Sequence, residues 1–153
     1  MAVAFFTGEY QGIKGLITFT RKGRGVHVNV DIRSGLNDTT GKYPYHIHQF
    51  AINSTGSCAS TGGHLDPTGV GVSGYVCDPN VPKKCEVGDL SGKYGGLQGS
   101  PRGCAKATYI DKFIALKDSS KAANGIIGRS IVIHAPNSPA PAPRIACADI
   151  VAK

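Results

Sequence analysis

Tryptophan is missing from this chain, methionine occurs once, and aromatic residues together make up only 7% of it. No apolar run approaches the roughly 20 residues that a membrane-spanning helix needs. There is no internal repeat, and no helical apolar period lasts beyond a turn or two, which excludes helical bundles and solenoids. Charged residues are held to 18% against 41% hydrophobic, so the chain lacks the charge excess of a disordered segment. What it has in quantity is glycine, 21 residues, and proline, nine, set among short runs of Val, Ile, Thr and Tyr. Many strands joined by turns satisfy that composition, and 153 residues make one all-β domain over 1–153.

Seventeen Lys and Arg against ten Asp and Glu leave a formal +7 at pH 7, which points to an anionic partner or substrate. The charges do not cluster. The longest basic patch, Arg21-Lys22-Gly23-Arg24, reads as a hairpin turn and lacks the interleaved aromatics of single-strand binders, so nucleic acid is not the expected partner. Five cysteines and two glycosylation sequons, at Asn37 and Asn53, favour an oxidising, extracellular or cell-surface setting. Met1-Ala2-Val3 leads straight into apolar residues that read as a first strand, with no signal-peptide layout before them.

Val26, Val28, Val30 and Ile32 alternate with His27, Asn29 and Asp31, the period of a half-buried strand that turns His27 outward. Gly12 to Arg21 reads as its hairpin partner, joined through a Lys22 to Gly25 turn. Further strands are expected at Val3 to Thr7, Tyr43 to Phe50, Ala107 to Leu116, Ile126 to His134 and Ile145 to Val151, with an eighth around Leu90 to Tyr94. A flattened, eight-stranded Greek-key barrel or two-sheet, immunoglobulin-like sandwich follows. Phe50 to Leu90 is long, rich in Gly, Ser, Thr, Pro and Cys, and without period; a loop of that length is functional or needs pinning. Ala135 to Pro143 carries four prolines and reads as a short, stiff, extended connector.

Chemistry concentrates on histidine. His46 and His48 lie one residue apart in a strand, so their imidazoles leave the same face. His64 in the long loop and His134 at the end of a late strand complete a candidate cluster. Imidazole-only ligation suits copper or zinc and disfavours the oxygen-seeking magnesium and calcium. Cys77 and Cys85 flank a seven-residue loop and can form a disulfide, leaving Cys104 odd, although a Cys85 to Cys104 pair is also compatible with the sequence.

The run Tyr45-His46-Ile47-His48-Gln49-Phe50, then Cys58, Gly63-His64-Leu65-Asp66-Pro67, Val87-Gly88-Asp89-Leu90, Ile127 to His134 and Arg144-Ile145-Ala146-Cys147 resembles the copper-zinc superoxide dismutases in order and spacing, over nearly the whole chain. The resemblance implies copper ligands at His46, His48, His64 and His134, with His64 the bridging histidine that takes up a proton in turnover. It also implies a disulfide from Cys58 to Cys147 and a substrate-guiding arginine at Arg144. Two departures stand out. Val72 and Glu86 occupy positions where the family has zinc histidines, and only Asp89 of the zinc set remains. The stretch from His134 to Arg144 is short where the family carries a long charged loop. Both departures resemble the copper-only, extracellular members.

That resemblance implies superoxide anion as substrate, copper as cofactor, no zinc, and Glu86, with Asp89 nearby, as the carboxylate that orients His64. A monomer is favoured over the usual family dimer. The competing reading is a copper-buffering module without catalysis, which would have no need of Arg144; a zinc hydrolase using His46, His48 and His134 would want a substrate pocket that the sequence does not declare.

Overall fold

Alternation orders the main sheet. Val26, Val28, Val30 and Ile32 are each at most 3% exposed on β3 (Gly25–Ser34), and Ile17 and Phe19 are fully buried on its hairpin partner β2 (Lys14–Lys22). Lys22 pairs with Gly25 across the turn, and His27 faces outward, hydrogen-bonded to Thr108. The computed structural model describes residues 1–153. Its other strands are β1 (Ala2–Thr7), β4 (Lys42–Tyr43), β5 (Tyr45–His48), β6 (Leu97–Gln98), β7 (Ala105–Asp111), β8 (Ala115–Asp118), β9 (Gly125–Ile127), β10 (Ser130–His134) and β11 (Arg144–Ala152). Seven strands form one curled antiparallel sheet in the order β5-β10-β11-β1-β2-β3-β7, and β4·β6 and β8·β9 are two small flanking pairs. The architecture is nearly all-β with little helix, as the sequence patterning implies. One cluster of 25 buried residues fills it, each large aliphatic contributing about 1.5–3 kcal/mol of burial.

Five expectations are corrected. Leu90 to Tyr94 is a short helix, α1 (Leu90–Tyr94), and not a strand, because the Asp89 side chain accepts the Gly92 N–H and caps it. The Tyr43 to Phe50 strand breaks at Pro44, which has no N–H to donate, and its two pieces pair with different strands, β6 and β10. Ala107 to Leu116 divides after Asp111, whose buried carboxylate accepts the N–H groups of Phe113 and Ile114 and turns the chain; Ile126 to His134 divides at Gly128, which has φ +89°. Ala135 to Pro143 is a closed loop and not an extended connector: β10 and β11 are antiparallel neighbours, so the chain must return, and the Ala135 N–H meets the Pro143 carbonyl at 2.9 Å.

A fully buried ion pair ties the flanking elements to the sheet. Lys93 of α1 donates to Asp111 at the end of β7 and to the Val87 carbonyl, and Tyr94 also donates to Asp111. Because Lys93 has two oxygen acceptors and the Asp111 carboxylate accepts four hydrogen bonds, the pair is tolerated in the interior.

Candidate metal centre

In β5 the pleat sends Tyr45 and Ile47, both fully buried, into the core and His46 and His48 to the opposite face. The adjacent strand β10 delivers His134 at its last position, and the His134 N–H extends the ladder to the Pro44 carbonyl. His64 arrives from the long loop through an antiparallel bridge to His48. Ile47, between the two strand histidines, holds that loop: its carbonyl accepts the Leu65 N–H at 2.8 Å and its N–H donates to the Gly88 carbonyl at 2.9 Å, while the Gly88 N–H meets the Leu65 carbonyl at 2.8 Å. Glycine is required at 88, since a Cβ there would lie 2.5 Å from the Ile47 carbonyl oxygen. The Cys58–Cys147 disulfide joins the loop to β11, and Cys77–Cys85 closes its distal part; Cys104 is free, so the Cys85 to Cys104 alternative is not formed.

One ring nitrogen from each of His46, His48, His64 and His134 lies within 4.8 Å of all the others. The His46 and His64 rings stack at 3.9 Å between centroids, and the Nε2 atoms of His48 and His134 stand 3.4 Å apart. The opposite nitrogens are engaged. Nδ1–H donates from His48 to the Gly62 carbonyl at 3.0 Å, from His134 to the Ala142 carbonyl at 3.0 Å, and from His64 to Glu86 Oε1 at 2.8 Å. These acceptors fix the tautomer and leave each Nε2 lone pair facing the cluster. His46 is reversed: its Nδ1 is buried with no hydrogen-bond partner, and its Nε2 lies 3.4 Å from Ser91 Oγ and 3.6 Å from Asp89 Oδ1. Burial is the first cause that drives His46 far below the ordinary imidazole value, takes His48 down to about 3, and lowers His134; neighbouring imidazoles push each of them the same way. Neutral, converging imidazoles with an orphaned buried nitrogen fit a borderline or soft metal ion such as copper.

The carboxylates around this cluster are committed. Glu86 is only 6% exposed and is spent on His64. Asp89 receives the Gly92 N–H on Oδ1 and the Tyr75 hydroxyl on Oδ2, while Val72 is 67% exposed and offers no ligand. Arg144 lies on the wall of an open cavity of about 750 Å³ that also contains all four histidines. Its Nη1 donates to the Cys58 carbonyl and to Thr61 Oγ1, and its charge contributes to depressing His48 and His134. His46, His48, His64, His134, Glu86, Asp89 and Arg144, singled out in the sequence, thus line one cavity. Tyr75, Thr61 and the Ile47–Gly88 lacing were not anticipated; a tyrosine after a glycine and a threonine before two of them carry no sequence signal, because their partners are distant in the chain.

The chain matches the family model described as copper/zinc superoxide dismutase over residues 13–150. It is 39% identical over 147 residues to cell surface superoxide dismutase 6 (Cu-Zn) of Candida albicans, an alignment that covers 95% of this chain and 42% of that protein. To the cell surface Cu-only superoxide dismutase 5 of the same organism it is 37% identical over 139 residues, covering 90% of this chain and 54% of that one. The chain therefore spans about half the length of the curated relatives it matches. Among solved structures it superposes on superoxide dismutase 5 of Candida albicans in its Cu(II) form with a TM-score of 0.79 at 33% identity, covering 99% of this chain and 90% of that one.

Proposed function

The chain belongs to the copper/zinc superoxide dismutase family, and from that membership we propose that its four histidines hold copper, without zinc, and that the site converts two superoxide anions and two protons into dioxygen and hydrogen peroxide. The observation that carries this reading is the set of inward nitrogens: Nε2 of His48, His64 and His134, freed by their outer hydrogen bonds, and the unpartnered Nδ1 of His46. Copper, when bound, supplies the electron exchange that oxidises one superoxide and reduces the next.

The chain's own residues do the remainder. Glu86 holds the His64 ring by Nδ1, so that its Nε2, stacked over His46, can carry a proton to the reduced product. Arg144, with only Nη1 engaged by the loop, presents the rest of a permanently charged fork to an anion entering the cavity. Zinc is dispensed with because Glu86 performs the orienting task and Asp89 is already shared by Tyr75 and Gly92. Two disulfides, and relatives named for the cell surface, support an extracellular or cell-surface location. A monomer acting on a small anion, with no nucleic-acid partner, completes the reading.

The test is superoxide decay followed optically after a pulse of radiolysis. Copper-loaded protein should accelerate decay catalytically, and His46→Ala should abolish the acceleration; decay no faster than with metal-free protein would refute the proposal and leave copper storage as the function.

A further inference from the structure

The four residues Glu86, Val87, Gly88 and Asp89 form one turn, closed by the Asp89 N–H on the Glu86 carbonyl at 3.0 Å. This turn reaches the metal centre by three routes. Glu86 orients His64 at one end, Gly88 in the middle is laced to Ile47 between His46 and His48, and the Asp89 carboxylate at the other end approaches His46 Nε2. A single side chain bridges its two ends. The Tyr75 hydroxyl accepts the Glu86 N–H at 2.9 Å and donates to Asp89 Oδ2 at 2.8 Å. The Tyr75 hydroxyl proton is held on the ring, since burial first and then the neighbouring carboxylates raise its pKa well above the ordinary phenol value.

We infer that Tyr75 is a positioning residue that clamps both ends of the 86–89 turn, doing with one neutral hydroxyl what a zinc ion would do by binding His64 and Asp89 together. The inference rests on the functional reading above for its catalytic consequence and on geometry alone for the clamp. Its chemistry is specific. The hydroxyl must donate and accept at once, which a carboxylate cannot do and phenylalanine cannot imitate. It also explains how Asp89, 6% exposed, is accommodated as a carboxylate without a cation: Oδ2 takes the phenol and Oδ1 takes the Gly92 N–H. The clamp enters from the segment just before Cys77, which the Cys77–Cys85 disulfide ties beside Glu86.

The decisive readout is the His64 Nδ1–H proton, observed by NMR in metal-free protein labelled with ¹⁵N. In the native chain, its bond to Glu86 should protect it from solvent exchange. Tyr75→Phe keeps the ring and removes the clamp, and exchange of that proton should quicken by about tenfold, the scale of one charge-assisted hydrogen bond. Tyr10→Phe is the comparison, because the Tyr10 hydroxyl bonds the Gly56 carbonyl of the same long loop away from the histidines; it should leave His64 exchange unchanged. Equal acceleration in both variants, or none in Tyr75→Phe, overturns the clamp. Should Tyr75→Phe fail to fold, native amide exchange decides: Glu86 N–H protected like Ile47 N–H supports the clamp, and Glu86 N–H exchanging at open-loop rates overturns it. Copper-loaded Tyr75→Phe should retain its copper and turn over superoxide several-fold more slowly. If the native copper protein shows no dismutation at all, the functional reading falls while the exchange measurements still judge the clamp.

Discussion

Glu86→Gln changes one oxygen to an amide nitrogen and weakens the acceptor that sets the tautomer of His64. Turnover should fall by about tenfold, the scale seen when the hydrogen-bond partner of a metal-bound histidine is altered, while copper content measured by elemental analysis stays near one equivalent. Loss of copper in step with activity would show that Glu86 builds the site and does not tune it. Arg144→Ile removes the fixed cation from the cavity wall and should lower the superoxide rate several-fold with copper affinity nearly intact. Equal loss of copper would assign Arg144 to holding the Cys58–Thr61 turn instead, a role its two hydrogen bonds permit. The histidines also make the metal-free protein acid-sensitive. His46, His48 and His134 are held below the imidazole value of an unfolded chain, roughly 6.5, so the unfolded state binds more protons as the pH drops. Stability is therefore full above that value and is lost as pH falls, through about 3 in the case of His48. Urea midpoints of metal-free protein should be lower at pH 5 than at pH 7.5; equal midpoints would contradict the buried, neutral imidazoles.

Elements decide whether those residues meet. The Cys58–Cys147 disulfide spans 89 residues and anchors the loop bearing His64 to β11, so its selective reduction should cost about 2–5 kcal/mol in denaturant unfolding; no change in the midpoint would mean that the lacing at Ile47 holds the loop unaided. Much of the site was legible in the sequence because it follows local rules. Strand alternation puts His46 and His48 on one face, and the family's spacing of motifs brings in His64, His134 and Arg144. The rest was hidden in two ways, by single local residues that redirect a run and by pairing between residues distant in the chain. Leu90 to Tyr94 has the apolar and aromatic residues of a strand, yet the Asp89 cap makes it helical. Tyr43 to Phe50 reads as one strand until Pro44 divides its partners. Tyr75 and Asp111 meet the groups they serve only through the tertiary fold, Asp111 across 18 residues to Lys93 and Tyr75 across 14 to Asp89.

Over the whole molecule the excess of cations, +7, should draw the anionic substrate toward the open cavity. The rate of superoxide decay should then fall as salt shortens the screening length to ~10 Å at 0.1 M and below; a rate independent of ionic strength would remove steering from the account and leave the chemistry standing. The central claim is narrower, that one barrel offers one copper centre and no place for zinc. Metal-free protein offered copper and equimolar zinc together, then freed of loose metal, measures it directly when elemental content and superoxide decay are read on the same sample. The account predicts close to one copper per chain, negligible zinc, and a rate that rises in proportion to the copper; a tightly held equivalent of zinc, or full copper with no acceleration of superoxide decay, would contradict it.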